Sequence, residues 1–303
     1  MNTPNLRGVG VALVTPFTAE NEIDFNGFEK IINYVIENGV DNIVVLGTTG
    51  ESVTLTHEEK QQLITKAVSS ARKRVPVIAG FGGYDTTSLI NDLQSFDLSG
   101  VDAILSVSPA YNKPTQNGIY EHYKAIANST ELPIILYNVP SRTSSNIEVE
   151  TVLRLAHDFE NIIGIKEAGS DWAQISQLAK NKPDNFFLLS GSDELIVPQI
   201  ALGFDGVISV ITNATPLLFS SMVHKGLNGD FEGSRRIFFE MIEAIDMMFE
   251  QGNPAGVKCA MKHLGVCPEE YVRLPLIPVD EELRQRIGEK VKSLKSKLDA
   301  LVQ

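Results

Sequence analysis

The stretch NIVVLGTTGESVTLTHEEKQQLITKAVSSARK (residues 42–73) holds one complete structural unit, and its reading decides the fold. It begins with a short apolar run rich in Val, Ile and Leu that stops at Gly47. Continuous rather than alternating apolarity is what a parallel strand covered on both faces requires. It then turns through the glycine-rich GTTGE (47–51) into a helical pattern. Thr56 and Glu59 are spaced as a capping box, and Lys and Arg are expected to close the last turn.

The same alternation recurs along the chain. Seven further short apolar runs bounded by Gly, Pro, Asn or Asp read as strands: GVALVTPF (10–17), VPVIAG (75–80), DAILSVS (102–108), PIILYNV (133–139), NIIGIKE (161–167), FFLLSG (186–191) and GVISV (206–210). Eight strands, each followed by a helix-length segment, predict an α/β fold, a (β/α)8 TIM barrel with a C-terminal helical extension. A doubly wound open sheet is the alternative that this pattern leaves open. The expected organisation is a barrel over residues 1–214 and a helical region over 215–303 that completes and extends it as one structural unit. GDFEGSRRIFFEMIEAIDMMFEQ (229–251) and DEELRQRIGEKVKSLKSKLDALVQ (280–303) are its clearest helices.

Composition narrows the function. The 303 residues are 43% hydrophobic and 21% charged, as expected of a soluble globular protein, and the net charge is −12. That balance argues against sequence-independent nucleic-acid binding, which needs a basic face. An anionic substrate would have to be held by local features against a repulsive overall field. The two cysteines, Cys259 and Cys267, form no CxxC pair and read as small core residues. The five histidines show no metal-ligand spacing, and no metal site is expected. MNTPNLRG (1–8) has neither the basic nor the apolar region of a signal peptide, and no apolar run reaches membrane-spanning length. The expectation is a cytoplasmic protein.

In a barrel the chemistry sits at the carboxyl ends of the strands. The residues there are Thr15 and Pro16, Thr48 and Thr49, Tyr111, Tyr137 and Asn138, Lys166 and Glu167, Gly191 and Asp193, and Ser209. Lys166 ends an apolar strand, on the side expected to carry Ile162 and Gly164. Facing the interior, its amine would be desolvated, which disfavours the ammonium and yields the neutral nucleophile needed for a Schiff base. Taken alone, it reads more readily as the point where a strand meets solvent. GTTGE offers backbone N–H groups and two hydroxyls to a carboxylate, although an ordinary glycine-rich connection looks the same. It lacks the lysine of a P-loop, and neither GVGVAL (8–13) nor GFGGYD (80–85) completes GxGxxG. Tyr137 could move protons if its hydroxyl has hydrogen-bonded neighbours, or could be a core tyrosine. Arg142 suits bidentate recognition of a carboxylate, or simply lies on the surface.

Taken together, GTTGES (47–52), YNKP (111–114), YNVPSRT (137–143), GIKEAGSD (164–171) and GVISV (206–210), in that order, resemble the pyruvate-dependent class I aldolase superfamily of sialic acid lyase and dihydrodipicolinate synthase. GVALVTPF (10–17) and NPAGVK (253–258) extend the likeness over essentially the whole chain. The arginine of YNVPSRT resembles the dihydrodipicolinate synthase branch, in which it binds the carboxylate of aspartate semialdehyde. The resemblance implies a Schiff base between Lys166 and pyruvate, with Tyr137 as proton donor and acceptor linked through Thr48 to a Tyr111 supplied by a neighbouring subunit. It implies pyruvate held by Thr49 and the backbone at Ile208, with Gly191 also in the substrate site. No metal or organic cofactor is implied, since the lysine supplies the electron sink. The assembly implied is a homotetramer of tight dimers, acting in the first committed step toward diaminopimelate and lysine.

Two positions depart from the family pattern. Ser144 stands where Gly is common, and Ala110 stands where a second aromatic is frequent. In lysine-inhibited relatives that aromatic helps form an allosteric site, whose other positions here would be Ser52, Val53, His57, Lys60, Tyr84 and Ser88. Only some keep polar character, which implies weak or absent feedback by lysine. Two other functions are compatible with the sequence: a sialic acid lyase or other 2-keto acid aldolase using the same Schiff base, and a non-catalytic small-molecule-binding barrel.

Overall fold

The computed structural model describes residues 4–302; residues 1–3 of MNTPNLRG and residue 303, the end of the expected terminal helix, lie outside the described residues. The described residues form eight strands: β1 (Gly8–Ala12), β2 (Asn42–Val45), β3 (Val77–Phe81), β4 (Ala103–Val107), β5 (Ile134–Asn138), β6 (Ile162–Glu167), β7 (Phe187–Ser190) and β8 (Gly206–Ser209). All are parallel, and they close in sequence order with β8 beside β1. The open-sheet alternative is excluded by that closure.

The continuous apolar runs have the cause inferred from the sequence. Ala12, Val44, Ile78, Leu105, Ile135, Leu189 and Ile208 point inward and pack together over Leu6. Their neighbours Val11, Ile43, Val45, Ile104, Leu136, Leu188 and Val207 point outward into the helical layer. Both faces are therefore buried. Closure also needs glycine at the seam, because a Cβ on Gly206 would run into the carbonyl oxygen of Gly8.

The second unit carries its capping box on the helix His57–Ala71. Thr56 Oγ1 accepts from Glu59 N–H at 3.2 Å, and the Glu59 carboxylate accepts from Thr56 N–H at 2.8 Å. The basic end differs from expectation. Arg72 and Lys73 lie past the helix in the left-handed region, at φ 51° and 57°, and its last turn holds no basic residue. Arg74 folds back instead, donating to the carbonyls of Ala71 (3.1 Å) and Ser70 (2.8 Å). The charge that complements the helix end thus comes from beyond it.

After β8 the helix Pro216–Leu227 packs on β1, and Phe231–Glu250, Ala255–Leu264, Glu281–Ser296 and Leu298–Val302 follow. Asp230 and Asp280 cap the two long helices, and Lys297 interrupts the last expected one. No helix among the described residues is long and apolar enough to cross a membrane.

Candidate active site

Lys166 and Tyr137 are direct neighbours across β5 and β6. Lys166 is only 5% exposed, and its Nζ lies 4.3 Å from the centre of the Tyr137 ring. Among the described residues no carboxylate forms an ion pair with it. The π face of Tyr137 attracts the amine in its charged form without pairing it to an anion.

How the strand delivers Lys166 to the interior corrects the expected alternation. Ile162 faces the outer layer, whereas Ile163 belongs to the inner cluster. The register with β5 steps from Ile134↔Ile162 to Ile135↔Gly164, so Ile163 is an extra residue in the ladder. A bulge of this kind shifts the period-two pattern by one. Gly164 and Lys166 do share a side, as expected, but Ile162 does not. At Gly164 a Cβ would lie 2.7 Å from the carbonyl oxygen of Phe187, so the bulged strand approaches β7 too closely for a side chain.

Gly191 lies on the other flank. A Cβ there would come within 2.5 Å of Ala168 Cβ and 3.1 Å of Lys166 Cε, so glycine keeps the lysine's space open. Ile208 is buried on the inner face of β8. The exit of β8 is held by Asp193, whose Oδ2 accepts from the N–H groups of Val210 (3.0 Å) and Ile211 (2.9 Å). Burial pushes the Asp193 carboxyl up to about 6.

GTTGE forms a 3-10 turn, Thr48–Gly50, after β2. Thr49 is buried and Thr48 exposed. Thr15 Oγ1 donates to the Gly50 carbonyl at 2.7 Å, and Asn253 Nδ2 donates to Thr49 Oγ1 at 2.9 Å. Glu51 closes the turn at φ 55° and reaches down to Lys258 Nζ (2.5 Å) and the Arg273 N–H (2.8 Å).

Arg142 sits on the short helix Pro140–Thr143, exposed, and pairs with no carboxylate among the described residues. Ser144 caps that helix at φ 56°, a left-handed conformation that glycine adopts more easily. Serine holds that turn here. Tyr111 lies apart from the barrel interior. It is 89% exposed, at φ 68°, edge-on to Tyr84 with ring centres 6.4 Å apart. Its hydroxyl forms no hydrogen bond among the described residues.

The positions compared with an allosteric site are engaged locally or open. His57 stacks on Phe96 and shares a 3.0 Å hydrogen bond with Ser95, and Ser88 Oγ donates to Asp85. Ser52 and Lys60 are half-buried, as is Ala110, while Val53 is 93% exposed.

Three features were not assigned a role from sequence. Glu167, next to Lys166, faces outward and is fully buried. Its carboxylate accepts from Asn138 Nδ2 (3.0 Å to each oxygen), Gln174 Nε2 (3.1 Å) and Gly169 N–H (2.6 Å). Burial raises its pKa above the usual carboxylate value, and those donors oppose the rise. A cavity of about 240 Å3 beside it lies between the loops after β5 and β6. The second feature is the Glu51–Lys258 pair and the third is Asn253, both linking the loop after β2 to the C-terminal helices. No group of three or more His, Cys, Asp or Glu placed to hold a metal occurs among the described residues.

The comparisons agree with one another. The sequence model of the Dihydrodipicolinate synthetase family matches residues 5–294. The 4-hydroxy-tetrahydrodipicolinate synthase of Parabacteroides distasonis is 46% identical over 97% of this chain and 98% of its own length. The crystal structure of dihydrodipicolinate synthase from Aquifex aeolicus superposes with a TM-score of 0.92 at 41% identity, covering 96% of this chain and 98% of that one. The chloride-inhibited dihydrodipicolinate synthase from Acinetobacter baumannii, complexed with pyruvate, gives 0.92 at 37% identity, over 96% and 99%. A barrel fold alone is shared by many unrelated activities, but likeness of sequence along its full length is not. On that ground the chain belongs to the dihydrodipicolinate synthetase family.

Proposed function

We propose that this chain condenses pyruvate with L-aspartate 4-semialdehyde through a Schiff base on Lys166, as a 4-hydroxy-tetrahydrodipicolinate synthase. The observation that carries the chemistry is a lysine 5% exposed at the carboxyl end of a barrel strand, over the Tyr137 ring and without a paired carboxylate among the described residues.

In this reading neutral Lys166 attacks the ketone carbon of pyruvate, and loss of water gives an iminium. The cation draws electrons, so the pyruvate methyl loses a proton and an enamine forms. The enamine carbon attacks the aldehyde of the semialdehyde. The semialdehyde's amine then adds to the iminium carbon, closing the ring and expelling Lys166. Tyr137, beside the amine, moves the protons. Thr49 and the backbone at Ile208 hold the pyruvate carboxylate, with Gly191 leaving the space. Thr48 relays protons toward Tyr111.

The direct test is borohydride reduction in the presence of pyruvate, followed by peptide mapping. The expected result is one reduced pyruvate adduct, on Lys166; an unmodified Lys166 would remove the reading and leave a non-catalytic binding barrel. Arg142 carries the choice of second substrate. Arg142→Ala is expected to raise the semialdehyde KM by roughly 10–100-fold, the scale of a lost charge-assisted hydrogen bond, with pyruvate KM little changed. An unchanged semialdehyde KM would remove the carboxylate role from Arg142, whereas condensation of pyruvate with N-acetylmannosamine but not with the semialdehyde would select another 2-keto acid aldolase.

The relay through Tyr111 needs a second copy of the chain. Val53, Tyr84 and Tyr111 are large, exposed side chains that a partner would cover. Sedimentation is expected to give a homotetramer of tight dimers. A purely monomeric but fully active protein would remove Tyr111 from the mechanism.

A further inference from the structure

We infer that Asn253 sets the direction in which Thr49 presents its hydroxyl proton, and so is a positioning residue for the carboxylate of the keto-acid substrate. The inference rests on the reading that Thr49 holds that carboxylate.

A threonine hydroxyl has one proton to donate and two lone pairs to accept with. In the fold, Asn253 Nδ2 donates to Thr49 Oγ1 at 2.9 Å, so the amide occupies a lone pair. Both residues are buried, and among the described residues no acceptor takes the Thr49 proton. That proton is free for an anion, and a carboxylate is an acceptor that such a donor would bind. Without Asn253 the hydroxyl is free to rotate and can present a lone pair to the carboxylate instead. The Oδ1 of Asn253 is itself buried and has no hydrogen-bond partner among the described residues. Such a group is costly in a core, and the one hydrogen bond the Asn253 side chain makes among the described residues is its Nδ2 contact to Thr49.

The amide is held from behind. Asn253 lies just before Pro254, the cap of the helix Ala255–Leu264, where a Cβ on Gly256 would run into the Met248 backbone. Lys258 of the same helix pairs with Glu51 of the same loop. The helix and the residue leading into it therefore grip the GTTGE turn at two places, Lys258 at Glu51 and Asn253 at the Thr49 hydroxyl.

The test is steady-state kinetics, with both substrates varied, on Asn253→Ala, Asn253→Asp, Thr49→Val and the Asn253→Ala/Thr49→Val double variant. Losing one hydrogen bond's worth of orientation, Asn253→Ala is expected to raise the pyruvate KM about tenfold and leave the semialdehyde KM within about twofold. Asn253→Asp is nearly isosteric but accepts the Thr49 proton, reversing its direction, and is expected to raise pyruvate KM further. The double variant is expected to be no worse than Thr49→Val, because Asn253 acts through Thr49. Multiplying effects in the double variant, or equal rises in both KM values, would overturn the inference. If Thr49→Val raises pyruvate KM and Asn253→Ala does not, the inference fails while the Thr49 reading stands. If Thr49→Val leaves pyruvate KM unchanged, both fail. Should Asn253→Ala not fold, an unchanged pyruvate KM in Asn253→Asp overturns the inference by itself.

Discussion

Replacing Lys166 by methionine lowers turnover by about 10⁴-fold or more, the scale on which removing a covalent nucleophile acts. Methionine is an unbranched chain only one atom shorter and fills most of the same slot between the Tyr137 ring and the space left by Gly191. The fold should therefore survive, and the loss should appear in turnover and in the pyruvate–borohydride adduct together. Arginine at the same position adds a second comparison. It retains a cation over the Tyr137 ring, but a guanidinium does not deprotonate and forms no iminium. If Lys166 worked only as a positive charge, Lys166→Arg would keep much of the activity. Equal inactivity of both variants, with thermal unfolding close to that of the parent, is the expected outcome. Substantial turnover by the arginine variant would show that the lysine acts electrostatically rather than covalently.

Sequence reading located the barrel and most of its mouth because both follow local rules. Each strand is a short apolar run that ends where its chemistry begins, so Tyr137, Lys166 and GTTGE could be placed without coordinates. The bulge at Ile163 could not. An inserted residue changes no composition, and the run IIGI reads equally well in either register. The end of the second-unit helix was similarly ambiguous, since Arg72, Lys73 and Arg74 are all basic. Only the backbone shows that the first two adopt left-handed conformations and that the third returns to the helix carbonyls. What sequence could not assign at all were pairings across the chain. Asn253 and Lys258 were visible in NPAGVK, but their partners Thr49 and Glu51 lie more than 200 residues away, and no periodicity relates them.

The second large effect concerns stability and comes from one of those pairings. Lys258 and Glu51 side chains are each 1% exposed and 2.5 Å apart. Lys258 also donates to the Tyr271 carbonyl (2.8 Å), while Glu51 accepts the Arg273 N–H (2.8 Å). Both Lys258 and Arg273 lie over the Phe17 ring, at 4.5 Å from its centre. Arg273 in turn forms a two-pronged pair with Glu59, the capping-box residue of His57–Ala71. The loop after β2, its helix and the C-terminal region thus share one charge network, fully buried at Lys258–Glu51 and half-buried at Arg273–Glu59. Lys258→Met removes the cation and strands Glu51, at an expected cost of about 3–5 kcal/mol in denaturant unfolding. Adding Glu51→Gln is expected to recover part of that loss, because the amide still accepts the Arg273 N–H and no longer carries an uncompensated charge. A single variant as stable as the parent, or a double variant less stable than the single, would show that the pair contributes little to holding the turn. The expected destabilisation would instead establish that the C-terminal helices anchor the hydroxyl-bearing turn of the barrel mouth, which makes the extension part of the site's construction rather than an appendage to it.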